Sequence, residues 1–301
     1  MSTSGPEILF VAGPTGVGKS EIALQLARRL NAAILVMDSM QVYREANIGT
    51  SKPSQAEQRE IAHGGIDLVD LGDSFDVGAY LKHAALFLDR CSRIGQSVVI
   101  VGGTGLYYRA LTQGLCEAPA AANELRELLA QMTLEELQKR LAETDPEIVP
   151  HLDLKNPRRI ARAIEVMETT GISLRKWQQD TRPPLIKSFR AFYIERDKSD
   201  LHARINQRVD QMLEAGWIDE VRTLVERHGL DALLNFPAIG YPELAAWLQS
   251  NGDLNLVREA IALATRQYAK RQLTWFRRES KLIAVPMAPN ELSTAAADRL
   301  L

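Results

Sequence analysis

Cysteine is scarce in this chain: Cys91 and Cys116 are the only two among 301 residues, and neither sits in a C-x-x-C pair. That excludes a disulfide framework and a thiolate zinc or redox centre. No apolar run approaches the roughly 20 residues of a helical membrane span. The first run, in MSTSGPEILFVAG, lacks a basic segment before it and passes straight into a glycine-rich turn. It reads as a first strand and not a secretory signal, so a cytoplasmic protein with no membrane partner is expected. Charge of one sign is not in excess either, with 36 Lys and Arg against 38 Asp and Glu. A protein coated in basic residues for nucleic acid is therefore ruled out. The five histidines, His63, His83, His151, His202 and His228, show no metal-ligand spacing, and the four tryptophans read as packing residues.

What is present is local. Residues 155–176 hold six basic side chains (Lys155, Arg158, Arg159, Arg162, Arg175, Lys176) against two acids, and residues 265–278 hold five (Arg266, Lys270, Arg271, Arg277, Arg278) against none. Such asymmetry can attract a polyanion that the net charge hides. The first third alternates apolar runs (EILFVA, AILVMDS, GIDLVDL, SVVIVGG) with helical patterns at Lys19–Leu30 and Asp76–Arg93. This predicts a parallel α/β sheet flanked by helices, with ligands gathered at the carboxyl ends of the strands. From about Leu115 the pattern turns to consecutive helices, one of them starting at Asn156-Pro157 and closing at Gly171, until the strand-like FRAFYIE at 189–195. The expected organisation is a catalytic core of residues 1–115 and 189–301, with an inserted all-helical lobe at 116–188.

Three strand ends carry chemistry. GPTGVGKS, residues 13–20, fits G-x-x-x-x-G-K-[ST] between a strand and a helix. Gly13, Thr15, Gly16, Val17 and Gly18 can wrap an anion in backbone N–H groups, Lys19 can neutralise it and the Ser20 hydroxyl can ligate Mg²⁺. The loop specifies a diphosphate better than it specifies a nucleoside. Asp38 ends the second apolar strand in VMDSMQVY, where a carboxylate serves as a Mg²⁺ ligand in an NTPase or as a general base. Thr104 follows the last of these apolar runs in VGGTGLYYRAL, either a second oxyanion nest or a plain strand-to-helix turn. On these motifs a P-loop nucleotide or small-metabolite kinase stays open, although no arginine-rich lid is evident: residues 117–150 hold eight acids against three bases.

Together with IGTSKP (48–53), NPRRIARAIEV (156–166), FPAIGYPE (236–243) and TRQYAKRQLTWFRR (265–278), these loops resemble the bacterial tRNA dimethylallyltransferases, in order along nearly the whole chain. The resemblance implies a P-loop NTPase-like fold. It also implies transfer of a dimethylallyl group from dimethylallyl diphosphate to N6 of the adenosine 3′ to the anticodon, in tRNAs that read codons beginning with U. By the same resemblance Asp38 is the general base, Thr104 lines the reaction channel and Arg208 reaches the diphosphate. Residues Thr15 to Ser20 hold the donor, and Asp38, Ser39, Met40 and Gln41 contact the target adenosine. Arg126, Arg162, Ala163, Ile164, Glu165 and Val166 match contacts with the tRNA anticodon stem-loop. The basic face of the last long helix, with Arg266, Lys270, Arg271 and Arg277, adds phosphate contacts. A monomer is expected. The chain departs from the family pattern at Gly16, where alanine is common, and at Pro242, where a basic residue is frequent.

Overall fold

The structure is a computed structural model that describes residues 6–119, 121–250 and 252–301. Residues 1–5, part of the expected core, and Ala120, within the expected insert, lie outside the described residues. Six strands, β1 (Ile8–Ala12), β2 (Ala33–Met37), β3 (His63–Gly64), β4 (Val98–Gly102), β5 (Arg190–Glu195) and β6 (Ile283–Pro286), form one parallel sheet. Its order is β3-β2-β4-β1-β5-β6. Strands β2 and β4 are buried at every position, as continuous Val, Ile and Leu runs must be when helices cover both faces.

The helices in chain order are α1 (Lys19–Leu30), α2 (Gln55–Glu60), α3 (Val77–Arg93), α4 (Gly105–Gln113), α5 (Asn123–Gln131), α6 (Leu134–Thr144) and α7 (Pro157–Thr170). They continue with α8 (Leu174–Gln179), α9 (Lys198–Glu214), α10 (Trp217–His228), α11 (Leu230–Leu234), α12 (Tyr241–Ser250), α13 (Leu254–Phe276) and α14 (Ser293–Asp298). The sheet order places the carboxyl ends of β2, β4 and β1 side by side. Asp38, the Gly103-Thr104 turn and the glycine loop therefore emerge at adjacent positions.

Two compact units divide the chain. One takes residues up to Tyr108 together with Ile186–Leu301, the other takes Arg109–Leu185. The second begins and ends a few residues before the expected 116 and 188, with the division falling inside α4. In the first unit the sheet packs on α1 through Leu9, Val11, Ile22, Leu26 and Val99, and a separate apolar cluster gathers around Trp217 and Tyr241. In the helical unit Leu129, Leu137, Leu141, Ile160 and Ile164 form the core. Helix α7 starts as its sequence predicts: the Asn156 side chain accepts the Arg159 N–H, Pro157 opens the helix and Gly171 closes it at φ 68°.

The expected strand in GIDLVDL is not formed. Only His63–Gly64 pairs with β2, and Val69 makes a single bridge to Tyr43. Left-handed backbone at Gly65 (φ 83°) and Asp67 (φ 53°) interrupts the extended run between them. Strand β6 went unpredicted because IAVP is short and mostly exposed, without the buried periodicity that marks its neighbours.

Candidate active site

Between β1 and α1 the chain turns through Gly16 (φ 81°) and Gly18 (φ 102°), conformations that L-residues rarely adopt. A β-carbon at residue 16 would also lie 2.8 Å from Ile205 Cγ1, so glycine is the residue that fits there. The loop is held by its carbonyls: Pro14 O accepts Lys19 Nζ at 3.2 Å, Gly16 O accepts Arg204 Nε at 3.0 Å and Val17 O accepts Arg196 Nε at 3.0 Å. Fixed peptide planes and the N-terminus of α1 together make a positive concavity. A cleft of about 720 Å³ opens on it, lined by Gly16, Gly18, Lys19, Ser20, Arg204 and Arg208 among others.

The cations of this cleft are under strain. Burial pushes the Lys19 ammonium down to about 8, with Arg208 adding repulsion, and only Asp38 pulls the other way. Burial also lowers Arg208 and Arg204, each aggravated by a neighbouring arginine. Arg208 reaches from α9 to donate to Ser51 Oγ, at 3.1 Å from Nε, and to Thr15 Oγ1 at 3.4 Å. A site that collects three cations at energetic cost, without an acid paired to Lys19, Arg204 or Arg208 among the described residues, is shaped for an anion from outside.

Asp38 stands just beyond Met37, the last residue of β2, with one carboxylate oxygen accepting the Met40 N–H at 2.8 Å. Its charge is felt by Lys19 and Arg208 on the loop side. It is also felt by Tyr80, Tyr107 and Tyr268, whose hydroxyls are pushed up chiefly by burial, with Tyr107 the next cause at Tyr80 and Asp38 the next at Tyr107 and Tyr268. Asp38 is thus within electrostatic reach of both the loop cations and these phenols. Thr104 is tied to the same corner, since its Oγ1 accepts the Ser39 N–H at 3.2 Å and its own N–H reaches Met37 O at 3.3 Å. The turn after β4 and the turn after β2 are therefore one assembly.

Not every predicted contact residue faces outward. Gln41 is 8% exposed, and its amide nitrogen donates to Thr50 O (3.0 Å) and Ser51 O (3.2 Å), so it braces the IGTSKP loop. Ala163, Ile164 and Val166 are fully buried in the helical core, which corrects the expectation that their side chains meet tRNA. Apolar residues at this spacing on an amphipathic helix face inward. Arg162 is engaged as well: it donates to Ala118 O at 2.7 Å and Pro119 O at 3.0 Å and pairs with Glu165. Arg126, Arg158 and Arg159 are exposed. On α13, Arg266 donates to Asn206 Oδ1 at 2.6 Å, Arg277 pairs with Glu195 at 3.1 Å, and Arg271 lies over the Tyr268 ring. Lys270 and Arg271 are exposed.

Sequence reasoning missed Arg204, Ser51 and Gln272. Arg204 could have been found, because it stands one helical turn before Arg208 in HARINQR. Ser51 and Gln272 lie within the IGTSKP and TRQYAKRQLTWFRR segments, but nothing local marks them there as parts of the site.

Mg²⁺ suits this donor set. Ser20 offers an exposed hydroxyl on the cleft, while no group of three or more His, Cys, Asp or Glu among the described residues could cage a metal. Mg²⁺ characteristically keeps its waters and binds through one or two protein oxygens plus substrate phosphates.

A phosphate loop at one central strand, with a carboxylate and a glycine turn at the next two strand ends, defines a phosphate-loop group-transfer enzyme. The family model described as IPP transferase matches residues 41–279, and that described as isopentenyl transferase matches residues 6–66. A tRNA dimethylallyltransferase of Methylacidiphilum infernorum is 43% identical over 91% of this chain and 84% of its own. One from Geobacter metallireducens is 40% identical over 92% of each. The crystal structure of a tRNA isopentenylpyrophosphate transferase from Bacillus halodurans matches with a TM-score of 0.67 at 30% identity, covering 97% of this chain and 94% of its own. A eukaryotic dimethylallyltransferase solved acting on tRNA shares the fold, with a TM-score of 0.81 at 24% identity over 98% of this chain and 77% of its own. The chain belongs to the tRNA dimethylallyltransferase family. It is a prenyltransferase, which decides against the kinase reading.

Proposed function

We propose that the cleft takes the diphosphate of dimethylallyl diphosphate and that Asp38 is the general base acting on N6 of the adenosine 3′ to the anticodon, in tRNAs reading codons that begin with U. The observation that carries this is the pairing of unneutralised cations with a carboxylate whose charge reaches them. In the reaction the N6 lone pair forms a bond to C1 of the allylic group as the C1–O bond breaks. Diphosphate leaves with the bonding electrons, and the N6 proton passes to Asp38. An exocyclic amine conjugated with the purine is a poor nucleophile, so a positioned base is needed as the bond forms.

Negative charge grows on the departing diphosphate, where Lys19, Arg208 and the loop amides stabilise the transition state more than the ground state. Mg²⁺, held at Ser20 and the diphosphate oxygens, would supply further neutralisation of the leaving group. Exclusion of water beside Asp38 matters because an allylic cation also reacts with water, and Tyr80 and Tyr107, buried within electrostatic reach of Asp38, serve it. The target adenosine enters by leaving its stack in the anticodon loop. Ser39, Met40 and Thr104 border its path, while the exposed Arg126, Lys270 and Arg271 are the tRNA-facing cations.

The enzyme acts as a cytoplasmic monomer on tRNA. Among the described residues no helix is long and apolar enough to cross a membrane. Incubation of unmodified tRNA with labelled dimethylallyl diphosphate and Mg²⁺, followed by nucleoside analysis, should place label on N6 of that one adenosine. Label on another nucleoside, or none, overturns the proposal.

A further inference from the structure

Helix α13 shows two characters within three residues: Lys270 and Arg271 are exposed, and Gln272 is buried at 6% exposure. The Gln272 amide is committed at both ends. Its Oε1 accepts the Thr15 N–H at 2.8 Å, inside the phosphate loop, and its Nε2 donates to Gly103 O at 2.9 Å, in the turn that carries Thr104. The Tyr268 hydroxyl shares a hydrogen bond with the same side chain. The approach is close, since a β-carbon on Gly103 would fall 2.1 Å from Nε2, so only bare backbone fits there. An amide offers one acceptor and two donors on a rigid plane, which suits a bridge between a backbone N–H and a backbone carbonyl.

We propose that Gln272 is a positioning residue that locks the donor-diphosphate loop against the Thr104 turn, setting the leaving group in register with the acceptor side. The inference rests on the prenyl-transfer reading above and deepens it. Because the Thr15 N–H is taken by Gln272, the loop meets the diphosphate through its later amides and through the Thr15 hydroxyl, which Arg208 already contacts. The turn after β4 is in turn bonded to the turn after β2, through Thr104 and Ser39. One side chain on α13 therefore connects, by an unbroken run of hydrogen bonds, the loop for the donor and the corner that holds Asp38. Misplacement of reacting groups by about 1 Å can cost on the order of 100-fold in rate. The lock therefore acts on the chemical step.

Two variants test it in single-turnover transfer. Gln272→Met preserves volume and removes both hydrogen bonds. It should lower the transfer rate by about 100-fold while leaving the KM for tRNA within about threefold. Gln272→Glu, when protonated, can still accept the Thr15 N–H and donate its single proton to Gly103 O; when ionised it has no proton for Gly103 O and sets a charge against that carbonyl. Its rate relative to wild type should therefore rise by about tenfold from pH 8 to pH 5.5. The rest of the site is the same in both proteins, so the ratio removes its part. A Gln272→Met enzyme within twofold of wild type, or a Gln272→Glu ratio that stays flat with pH, overturns the inference. Should Gln272→Met fail to fold, the Gln272→Glu ratio alone decides. A wild-type enzyme without transfer activity overturns the prenyl-transfer reading itself, a separate and distinguishable result.

Discussion

Basic side chains beside the phosphate loop and those along α7 are the same residue types in opposite electrostatic settings. In the cleft, burial depresses Lys19, Arg204 and Arg208, and no carboxylate pairs with them among the described residues. Along α7, Arg162 is satisfied by two carbonyls and Glu165, while Arg158 and Arg159 stand in water. Elsewhere in the first unit, buried cations are neutralised: Lys52 pairs with Asp67 at 2.6 Å and Arg196 with Asp200 at 2.9 Å, both side chains 2% exposed. Position in the chain does not separate a binding cation from a structural one. The presence or absence of an internal counter-charge does.

The sharpest way to break that distinction is at Lys19. Lys19→Ala should lower transfer by about 1000-fold or more in a labelled-donor assay, since it removes the ammonium of the phosphate loop. Arg208→Met should follow, at about 100-fold, with a raised KM for the donor; Arg208→Lys should not restore it, because a point charge cannot replace the fork that spans Ser51 and Thr15.

A third test inverts the usual cost of mutation. Lys19 binds its proton up to about pH 8 in the folded chain, against 10.5 for the free side chain. The unfolded chain therefore holds the extra proton between those values, so this group destabilises the fold in full below about pH 8 and the penalty fades as pH rises toward 10.5. Lys19→Met should be more stable than wild type by about 1–3 kcal/mol at pH 7, with the gap narrowing above pH 9. Urea unfolding at the two pH values measures it. A variant that is less stable at pH 7 would show that the cleft stores no charge at a cost to the fold.

The smallest effects lie on the helices. Arg162→Ala should destabilise the protein by about 1 kcal/mol, because it removes the hydrogen bonds to Ala118 O and Pro119 O and the pair with Glu165. Lys270→Ala should leave stability unchanged and weaken tRNA binding a few-fold, with a salt slope smaller by about one. If the two variants behaved alike in both measurements, the contrast between engaged and exposed cations would be lost.

Much of this was legible in the sequence, and for physical reasons. The glycine spacing of residues 13–20 and the apolar runs ending at Asp38 and Thr104 are local patterns, and parallel topology turns strand ends into neighbours. Partners across the fold are not local. Nothing in TRQYAKRQLTW says that Gln272 turns inward to Thr15 and Gly103, because the helix carries basic residues on several sides and its apolar stripe is weak. The burial of Ala163, Ile164 and Val166 was readable from their helical spacing, yet family resemblance marks a segment without separating its faces. Arg162 shows the remaining gap: sequence displays its charge and hides the carbonyls that occupy it.

The central claim is that the cations of the cleft serve the donor and Asp38 serves the acceptor. Calorimetry of Asp38→Asn with dimethylallyl diphosphate and Mg²⁺, run beside its single-turnover transfer rate, tests this most directly. Donor affinity within a few-fold of wild type, with transfer reduced by about 100-fold or more, is the predicted result. Loss of donor affinity in step with transfer would make Asp38 a ligand of the diphosphate site and contradict its assignment as the base.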